Sequence, residues 1–90
     1  MLEAKLTIKN PLGLHARAAA QLVKLASTFK SRIIVSRLDS SNFADAKSIL
    51  SLLTLAASQG TEIDLQVAGA DEDVAFRAVS ELFSNGFGEI

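Results

Sequence analysis

Apolar and polar side chains alternate along the first nine residues, a period of two that predicts a half-buried β-strand. The apolar positions that would share one face are Leu2, Ala4, Leu6 and Ile8. Three later segments, 32–37, 43–46 and 62–67, also have strand patterns. Turn-forming residues precede the last two of these segments, so we expect four short strands in all.

Three other segments have helical spacing. The first runs from His15 to Phe29. The second begins after Ser48, a good N-cap residue, and Gly60 suits the position that follows its end. The third begins after Asp71 and ends at Asn85–Gly86. The predicted buried faces are Ala18 or Ala19, Leu22, Leu25 or Ala26 and Phe29 for the first helix, and Val74 or Ala75, Ala78 or Val79 and Leu82 for the third.

The order of these elements is β-α-β-β-α-β-α, and it favours one α+β domain over residues 1–90. A sheet whose strands are apolar on one face needs helices to cover that face only, because the other face is polar and can remain in water. We therefore predict an open-faced two-layer sandwich, with three helices on one face of a four-stranded sheet. Alternating strands also favour mostly antiparallel pairing.

Composition excludes several classes of protein. The chain has no cysteine and one histidine, which rules out a disulfide scaffold and makes a protein zinc site very improbable. It has no apolar stretch long enough to span a membrane and no signal-peptide pattern, so we expect a cytoplasmic protein. A net charge of −1 does not suggest a nucleic-acid binder.

Charge is unevenly distributed along the chain. Residues 1–47 hold eight of the nine Lys and Arg, whereas residues 48–90 hold seven of the ten Asp and Glu. Two interpretations are open. The basic half forms one surface suited to an acidic or phosphorylated partner, or opposite charges interleave once the chain folds.

The segment Gly13–Arg17 carries the most specific chemistry, because the only histidine, His15, stands where a turn becomes a helix. The backbone N–H groups of Ala16, Arg17 and Ala18 would have no helical acceptor there, and the helix dipole is positive. Such an end binds anions. Arg17 adds a planar guanidinium that fits phosphate oxygens.

These groups together predict a phosphoryl-accepting site at His15. A positive helix end favours a neutral imidazole, and a neutral ring nitrogen is a nucleophile. Once phosphorylated, the ring would be stabilised by Arg17 and the same N–H groups. The alternative is that His15 is an ordinary surface or capping residue.

The stretch Leu12–Ala19, LGLHARAA, resembles the active-site signature of the HPr family of phosphocarriers. This family belongs to the bacterial phosphoenolpyruvate-dependent sugar phosphotransferase system. Weaker resemblances lie at Lys47–Leu53, at Gln59–Ile63 and in the tail Ala68–Phe83. Together they cover essentially the whole chain in order, and the element order is similar to the family's open-faced sandwich.

The resemblance implies a role for each matching residue. His15 would receive a phosphoryl group on Nδ1 from enzyme I and give it to enzyme IIA components, with Arg17 in support. Ser48 would match the serine modified by HPr kinase/phosphorylase, and transcriptional regulators would be further partners. No metal, organic cofactor, nucleic acid or membrane insertion is implied. The implied partner-binding face comprises Ala16, Ala20, Lys24, Lys47, Ile49, Leu50 and Leu53.

The chain departs from the family pattern in two places. The family usually has proline where this chain has Ala18, which keeps its N–H but gives up a fixed φ. The longer connection before Ser48 and the ending 82–87 resemble NPr, the nitrogen-related paralogue. Alternatives to a carrier are a regulatory binding module of the Crh type and a small hydrolase of the acylphosphatase type.

Two smaller questions stay open in the sequence. Ser48 could serve as a helix cap, as a phosphorylation site, or as both, because phosphate at a helix N-terminus is favourable. The leucine-rich run Ile49–Leu55 has apolar residues on more than one helical face, so some must be core and the rest exposed.

Overall fold

Seven helices and strands follow one another in the predicted order in the computed structural model, which describes all 90 residues, Met1–Ile90. No helix combines the length and the apolar character needed to cross a membrane. A short 3₁₀ turn, Gly86–Gly88, follows the last helix. The elements are β1 (Leu2–Thr7), α1 (Ala16–Ala26), β2 (Arg32–Arg37), β3 (Phe43–Asp45), α2 (Ile49–Thr54), β4 (Glu62–Ala68) and α3 (Glu72–Ser84).

The four strands form one sheet in the order β1-β4-β2-β3, and every neighbouring pair is antiparallel. Because side chains alternate between the two faces of a strand, the apolar set of each strand lies on one side. The central strands bury Ile33, Val35, Ile63, Leu65 and Val67 completely. The predicted α+β class and open-faced sandwich are therefore confirmed.

The two longer helices bury one stripe each against the sheet. The α1 stripe contains alanines at its start, so the helix can lie close to the strands. The buried sets are Ala18, Ala19, Leu22 and Ala26 in α1, and Ala75, Val79 and Phe83 in α3. The helix α1 ends at Ala26, before the predicted Phe29, and Leu82 is only half-buried because Phe83 takes the core position.

The predicted end of the second helix is wrong. The helix α2 stops at Thr54, well before Gly60, and Ala56, just after the helix, has a left-handed conformation with φ of 50°. The guanidinium of Arg37 donates to the carbonyls of Leu55, at 3.0 Å, and Ala56, at 3.2 Å. Since these carbonyls have a partner outside the helix, the helix can end early.

The third helix begins directly after Asp71, as predicted, but this residue does not cap it with its side chain. The Asp71 side chain accepts instead from the backbone N–H of Lys30, at 2.8 Å, and from the N–H and hydroxyl of Ser31. These bonds, the Ser31 hydroxyl first, hold the pKa of Asp71 below its ordinary value. They fix the start of α3 to the loop before β2.

The turn before α1 is fastened to the loop after α2. Gly13 has a φ of +65°, and a Cβ at this position would lie 2.5 Å from the carbonyl oxygen of Ala57. The next N–H, of Leu14, donates to that same oxygen at 2.8 Å. The amide of Asn10, which is completely buried, donates to the Gly13 carbonyl at 2.7 Å. Any residue but glycine would push these two loops apart.

We expect Gly13→Ala to lower the free energy of unfolding by more than Gly60→Ala does. Both positions have positive φ, which costs a non-glycine residue roughly 1–3 kcal/mol, but a Cβ at Gly60 would meet no atom within 4 Å. The difference between the variants therefore isolates the clash with the backbone of Ala57 and Ser58. Urea unfolding of both variants measures it, and equal losses of stability would contradict the close packing described above.

Candidate functional site

His15 is the N-cap residue of α1, with extended backbone angles, and its ring makes no capping hydrogen bond. The first helical hydrogen bond runs from the Ala19 N–H to the His15 carbonyl, at 2.8 Å. The N–H groups of Ala16, Arg17 and Ala18 therefore lie ahead of the helical hydrogen bonds, at the positive end of the dipole. An anion beside His15 would meet three available donors.

One nitrogen of the His15 ring is hydrogen-bonded to a carboxylate near the C-terminus of the chain. The ring Nε2 makes a hydrogen bond with Oε2 of Glu89. The other oxygen of Glu89 accepts from the Asn10 amide at 3.3 Å and from the Leu12 N–H at 3.5 Å. The side chains of His15 and Glu89 are 23% and 12% exposed, so the pair is only partly accessible to water.

The contact with Glu89 determines which ring nitrogen is free. The hydrogen bond to His15, followed by those to Asn10 and Leu12, lowers the pKa of Glu89 and outweighs the opposing effect of burial. Glu89 is therefore an anion at neutral pH, and the nitrogen that faces an anion carries the hydrogen. In a neutral imidazole this leaves the lone pair on Nδ1.

Sequence reasoning missed both Glu89 and Asn10 as parts of the site. Glu89 reaches His15 because the chain turns sharply after α3, where Gly86 and Phe87 both have positive φ. The Phe87 ring anchors this turn by packing edge-on against Phe83, with ring centroids 5.1 Å apart. The sequence held one signal of this contact. The run Gly86–Phe87–Gly88 permits a sharp turn with a buried aromatic ring, and the acidic residue Glu89 follows it directly.

Arg17 lies at the outer side of the site. Its Nη2 is 4.0 Å from Oε2 of Glu89, and its side chain is 69% exposed. The guanidinium therefore keeps most of its donors free for an incoming group. A shallow cleft beside it is lined by Pro11, Leu12, Gln21, Phe87, Gly88 and Glu89.

Ser48 is the N-cap of α2, as predicted, and its hydroxyl oxygen accepts from the Ser51 N–H at 3.3 Å. The side chain of the neighbouring Lys47, an implied docking residue, is held by a hydrogen bond within the protein. Its ammonium donates to the Phe29 carbonyl at 2.7 Å, just beyond the end of α1. The bond links the segment before α2 to the segment after α1.

The leucine-rich run divides between core and surface. Leu52 and Leu55 are buried, whereas Leu50 is 75% exposed. Ile49 and Leu53 are also exposed. On the adjoining α1, the implied docking residues Ala16, Ala20 and Lys24 are exposed as well. An apolar patch therefore extends over α2 next to the helix that carries His15.

Comparison with known proteins identifies the family to which this chain belongs. The family model for the PTS HPr component phosphorylation site matches residues 2–85. The phosphocarrier protein HPr of Xylella fastidiosa strain Temecula1 is 49% identical over 89 residues, which are 99% of this chain and 98% of that protein. The chain belongs to the HPr family.

Other HPr relatives agree in sequence and in structure. The crystal structure of HPr-C-His from Thermoanaerobacter tengcongensis superimposes with a TM-score of 0.91 at 41% identity, covering 100% of this chain and 99% of that one. Phosphocarrier protein NPr of Proteus mirabilis is 39% identical over 85 residues, which are 94% of this chain and 93% of that protein.

Membership of the HPr family makes this protein a phosphocarrier of the phosphotransferase system and not a catalytic enzyme. It implies partners of that system such as enzyme I and enzyme IIA. The hydrolase alternative is therefore wrong. The similarity to both HPr and NPr proteins leaves the sugar and nitrogen branches as alternatives.

We expect Glu89→Gln to remove part of the acid sensitivity of the fold. The pKa of Glu89 is lowered in the folded protein, so its contribution to stability is complete above the ordinary value of 4.5. That contribution disappears as the pH falls through the lower folded-state pKa. Wild type should therefore lose more stability than Glu89→Gln as the pH falls from 5 toward acid.

Urea unfolding midpoints of wild type and Glu89→Gln, measured in steps below pH 5, should therefore approach each other as the pH falls. Glu81→Gln is the matched control, because Glu81 is an exposed acid on α3 that forms no ion pair. It should keep the wild-type pH dependence. Parallel curves for wild type and Glu89→Gln would contradict a carboxylate stabilised by His15.

Proposed function

We propose that this protein carries phosphoryl groups on Nδ1 of His15, accepting them from phospho-enzyme I and passing them to enzyme IIA components in the bacterial cytoplasm. Residues 1–90 act as one HPr-like domain in this scheme. The observation that supports it most is the Glu89 contact at Nε2, which leaves Nδ1 as the nitrogen with a lone pair.

The transfer itself is a displacement at phosphorus. The lone pair of Nδ1 forms the new N–P bond, while the bond between phosphorus and the donor atom breaks and leaves its electron pair on the donor. No proton needs to leave Nδ1, because the ring hydrogen is on Nε2. The second transfer, to enzyme IIA, is the same step in reverse with a different acceptor.

The surrounding groups stabilise charge during this step. As Nδ1 bonds to phosphorus, the ring becomes more positive, and the Glu89 carboxylate at Nε2 compensates that charge. The phosphoryl oxygens meet the N–H groups of Ala16, Arg17 and Ala18 and the Arg17 guanidinium. Phosphoryl transfer depends mainly on such positioning and electrostatics. A small domain can therefore supply part of the site, and the partner protein supplies the rest.

The position of Ser48 supports a regulatory role in addition to helix capping. Ser48 begins the helix that presents Leu50, and the apolar patch of Ile49, Leu50 and Leu53 suits contact with a partner. A phosphoryl group placed on Ser48 by HPr kinase/phosphorylase would set two negative charges beside this patch. Docking of enzyme I would weaken, and binding to transcriptional regulators would be favoured.

A second candidate is an NPr-like or Crh-like regulatory module, which acts through phosphorylation-dependent protein binding. The 39% identity to NPr of Proteus mirabilis favours it. The NPr-like module uses the same His15 chemistry with a nitrogen-branch enzyme I as donor. The two candidates differ in which enzyme I phosphorylates the chain.

Intact-mass measurement after mixing with phosphoenolpyruvate and either type of enzyme I tests the carrier role. Wild type should gain one phosphoryl group that is lost in acid, and ¹⁵N NMR should place it on Nδ1. His15→Ala should gain none. Arg17→Ala should react roughly tenfold to a hundredfold more slowly, since it loses one charge-stabilising group. No gain with either enzyme I would refute the carrier proposal.

Three serine variants separate the two roles of Ser48. Ser48→Asp should slow phosphorylation by enzyme I at least tenfold, because it places charge beside the docking patch. Ser48→Ala should cost about 1 kcal/mol of stability but leave the transfer rate near wild type. Ser41→Asp adds the same charge in the exposed turn before β3 and should change neither. Equal rates for Ser48→Asp and wild type would refute the regulatory proposal.

A further inference from the structure

The helices cover one face of the sheet, and the opposite face carries a short apolar strip. Side chains alternate between the two faces of a strand, so every second residue of each strand lies on the uncovered face. Most of these residues are polar or charged, as expected for a sheet face in water. Three of them are apolar, and these are Ile34 of β2, Phe43 of β3 and Ala68 of β4.

The three apolar residues line a single groove, which has a volume of 470 Å³. Ile34 and Ala68 are half-buried, whereas Phe43 is 64% exposed. Phe43 is the only one of the five phenylalanines in the exposed class. An exposed aromatic ring in a groove offers a large apolar area to a ligand. The other lining residues are Met1, Arg32, Ser36, Ser40, Ser41 and Gln66.

The lining residues of the groove follow β2 along its length. At one end of the strand, Arg32 stands opposite Ala68. At the other end, Ser36 stands opposite Phe43. Four residues at about 3.3 Å each place Arg32 and Ser36 roughly 13 Å apart along the strand. The groove therefore has a cation at one end and an aromatic ring at the other.

Arg32 is the only charged side chain that lines the groove, and it forms no ion pair. The acids on the same sheet face have other partners. Glu3 and Asp64 both accept from the amide of Gln66, at 3.3 Å and 3.1 Å. Asp45 accepts from a backbone N–H two residues further on, at 2.9 Å. The guanidinium of Arg32 is therefore available to bind an anion, and its planar fork fits a carboxylate.

We propose that this groove binds a small monocarboxylic acid with an aromatic or branched apolar body. The carboxylate pairs with Arg32, and the apolar body covers Ile34 and packs against the ring of Phe43. One unpaired cation suits one negative charge, because the other cation at the groove, the ammonium of Met1, is already paired with Glu72 at 3.2 Å. A phosphate dianion would keep an uncompensated charge there.

The size of the groove favours a small molecule over a protein partner. Pockets for small ligands have volumes of about 300–1,000 Å³, and this groove lies within that range. A stable protein interface needs about 800 Å² from each partner, which is far more than a strip of three apolar residues offers. The groove contains none of the residues around His15, so this binding is independent of the proposed function.

Titration of the ¹⁵N-labelled protein with 4-phenylbutyrate, followed by NMR of the backbone amides, tests the proposal. This probe joins a phenyl ring to one carboxylate through a short methylene chain. The amide signals of Arg32, Ile34, Ser36 and Phe43 should shift and saturate, with a Kd of about 1 mM for a ligand of this size. The neutral analogue 4-phenylbutan-1-ol should bind roughly tenfold more weakly, because it cannot form the charged pair with Arg32.

Two variants separate the charged contact from the apolar one. Arg32→Gln should bind the acid and the alcohol equally, because the preference for a carboxylate is lost. Phe43→Ala should weaken both probes about fivefold or more, because the ring contact does not depend on charge. Both side chains are exposed, so the variants should keep the fold, which their thermal midpoints check. Arg77→Gln removes the same charge from an exposed arginine of α3 outside the groove, and it should bind both probes like wild type.

Three results would overturn the proposal. The first is the absence of saturable shifts at probe concentrations tenfold above the expected Kd. The second is a set of shifts confined to the residues around His15 or to α2, because the probe would then bind on the helix layer. The third is equal binding of the acid and the alcohol by wild type, since the groove would then select no anion.

Discussion

The close approach between Gly13 and the Ala57 carbonyl determines where His15 lies. The loop before α1 can reach the loop after α2 only without a side chain at residue 13, and the Leu14 N–H then bonds to the same carbonyl. The bond fixes the start of α1 relative to the loop after α2. The acceptor nitrogen, the anion-binding N–H groups and the apolar patch consequently form one surface of fixed geometry.

Charged side chains connect the elements more than the apolar pattern suggests. Asp71 joins the start of α3 to the loop before β2, Arg37 satisfies the end of α2, and Lys47 bonds to the segment after α1. The basic and acidic halves of the sequence meet at Arg17 and Glu89 and across β1 and β4. Of the two interpretations of the charge distribution, these contacts favour interleaved opposite charges and disfavour a single basic surface.

The sequence was sufficient for most of the fold because local periodicity and layer packing agree. Alternation predicted the strands, and the positions of Ser48 and Asp71 marked where helices begin. The errors have a common physical cause, which is contact between residues distant in sequence. Arg37 ends α2 before Gly60, and Ser31 draws the Asp71 side chain away from its own helix. For the same reason, His15 could be predicted from its motif, whereas Glu89 and Asn10 could not.

The bond between His15 and Glu89 spans 74 residues of sequence. Closing a loop of this length costs more chain entropy than closing a short one, so this contact depends on the rest of the fold to hold its two ends together. During synthesis, the helix carrying His15 leaves the ribosome long before Glu89 does. A growing chain therefore contains His15 before Glu89 is present to orient its imidazole, and the pair forms only once both ends of the chain have come together.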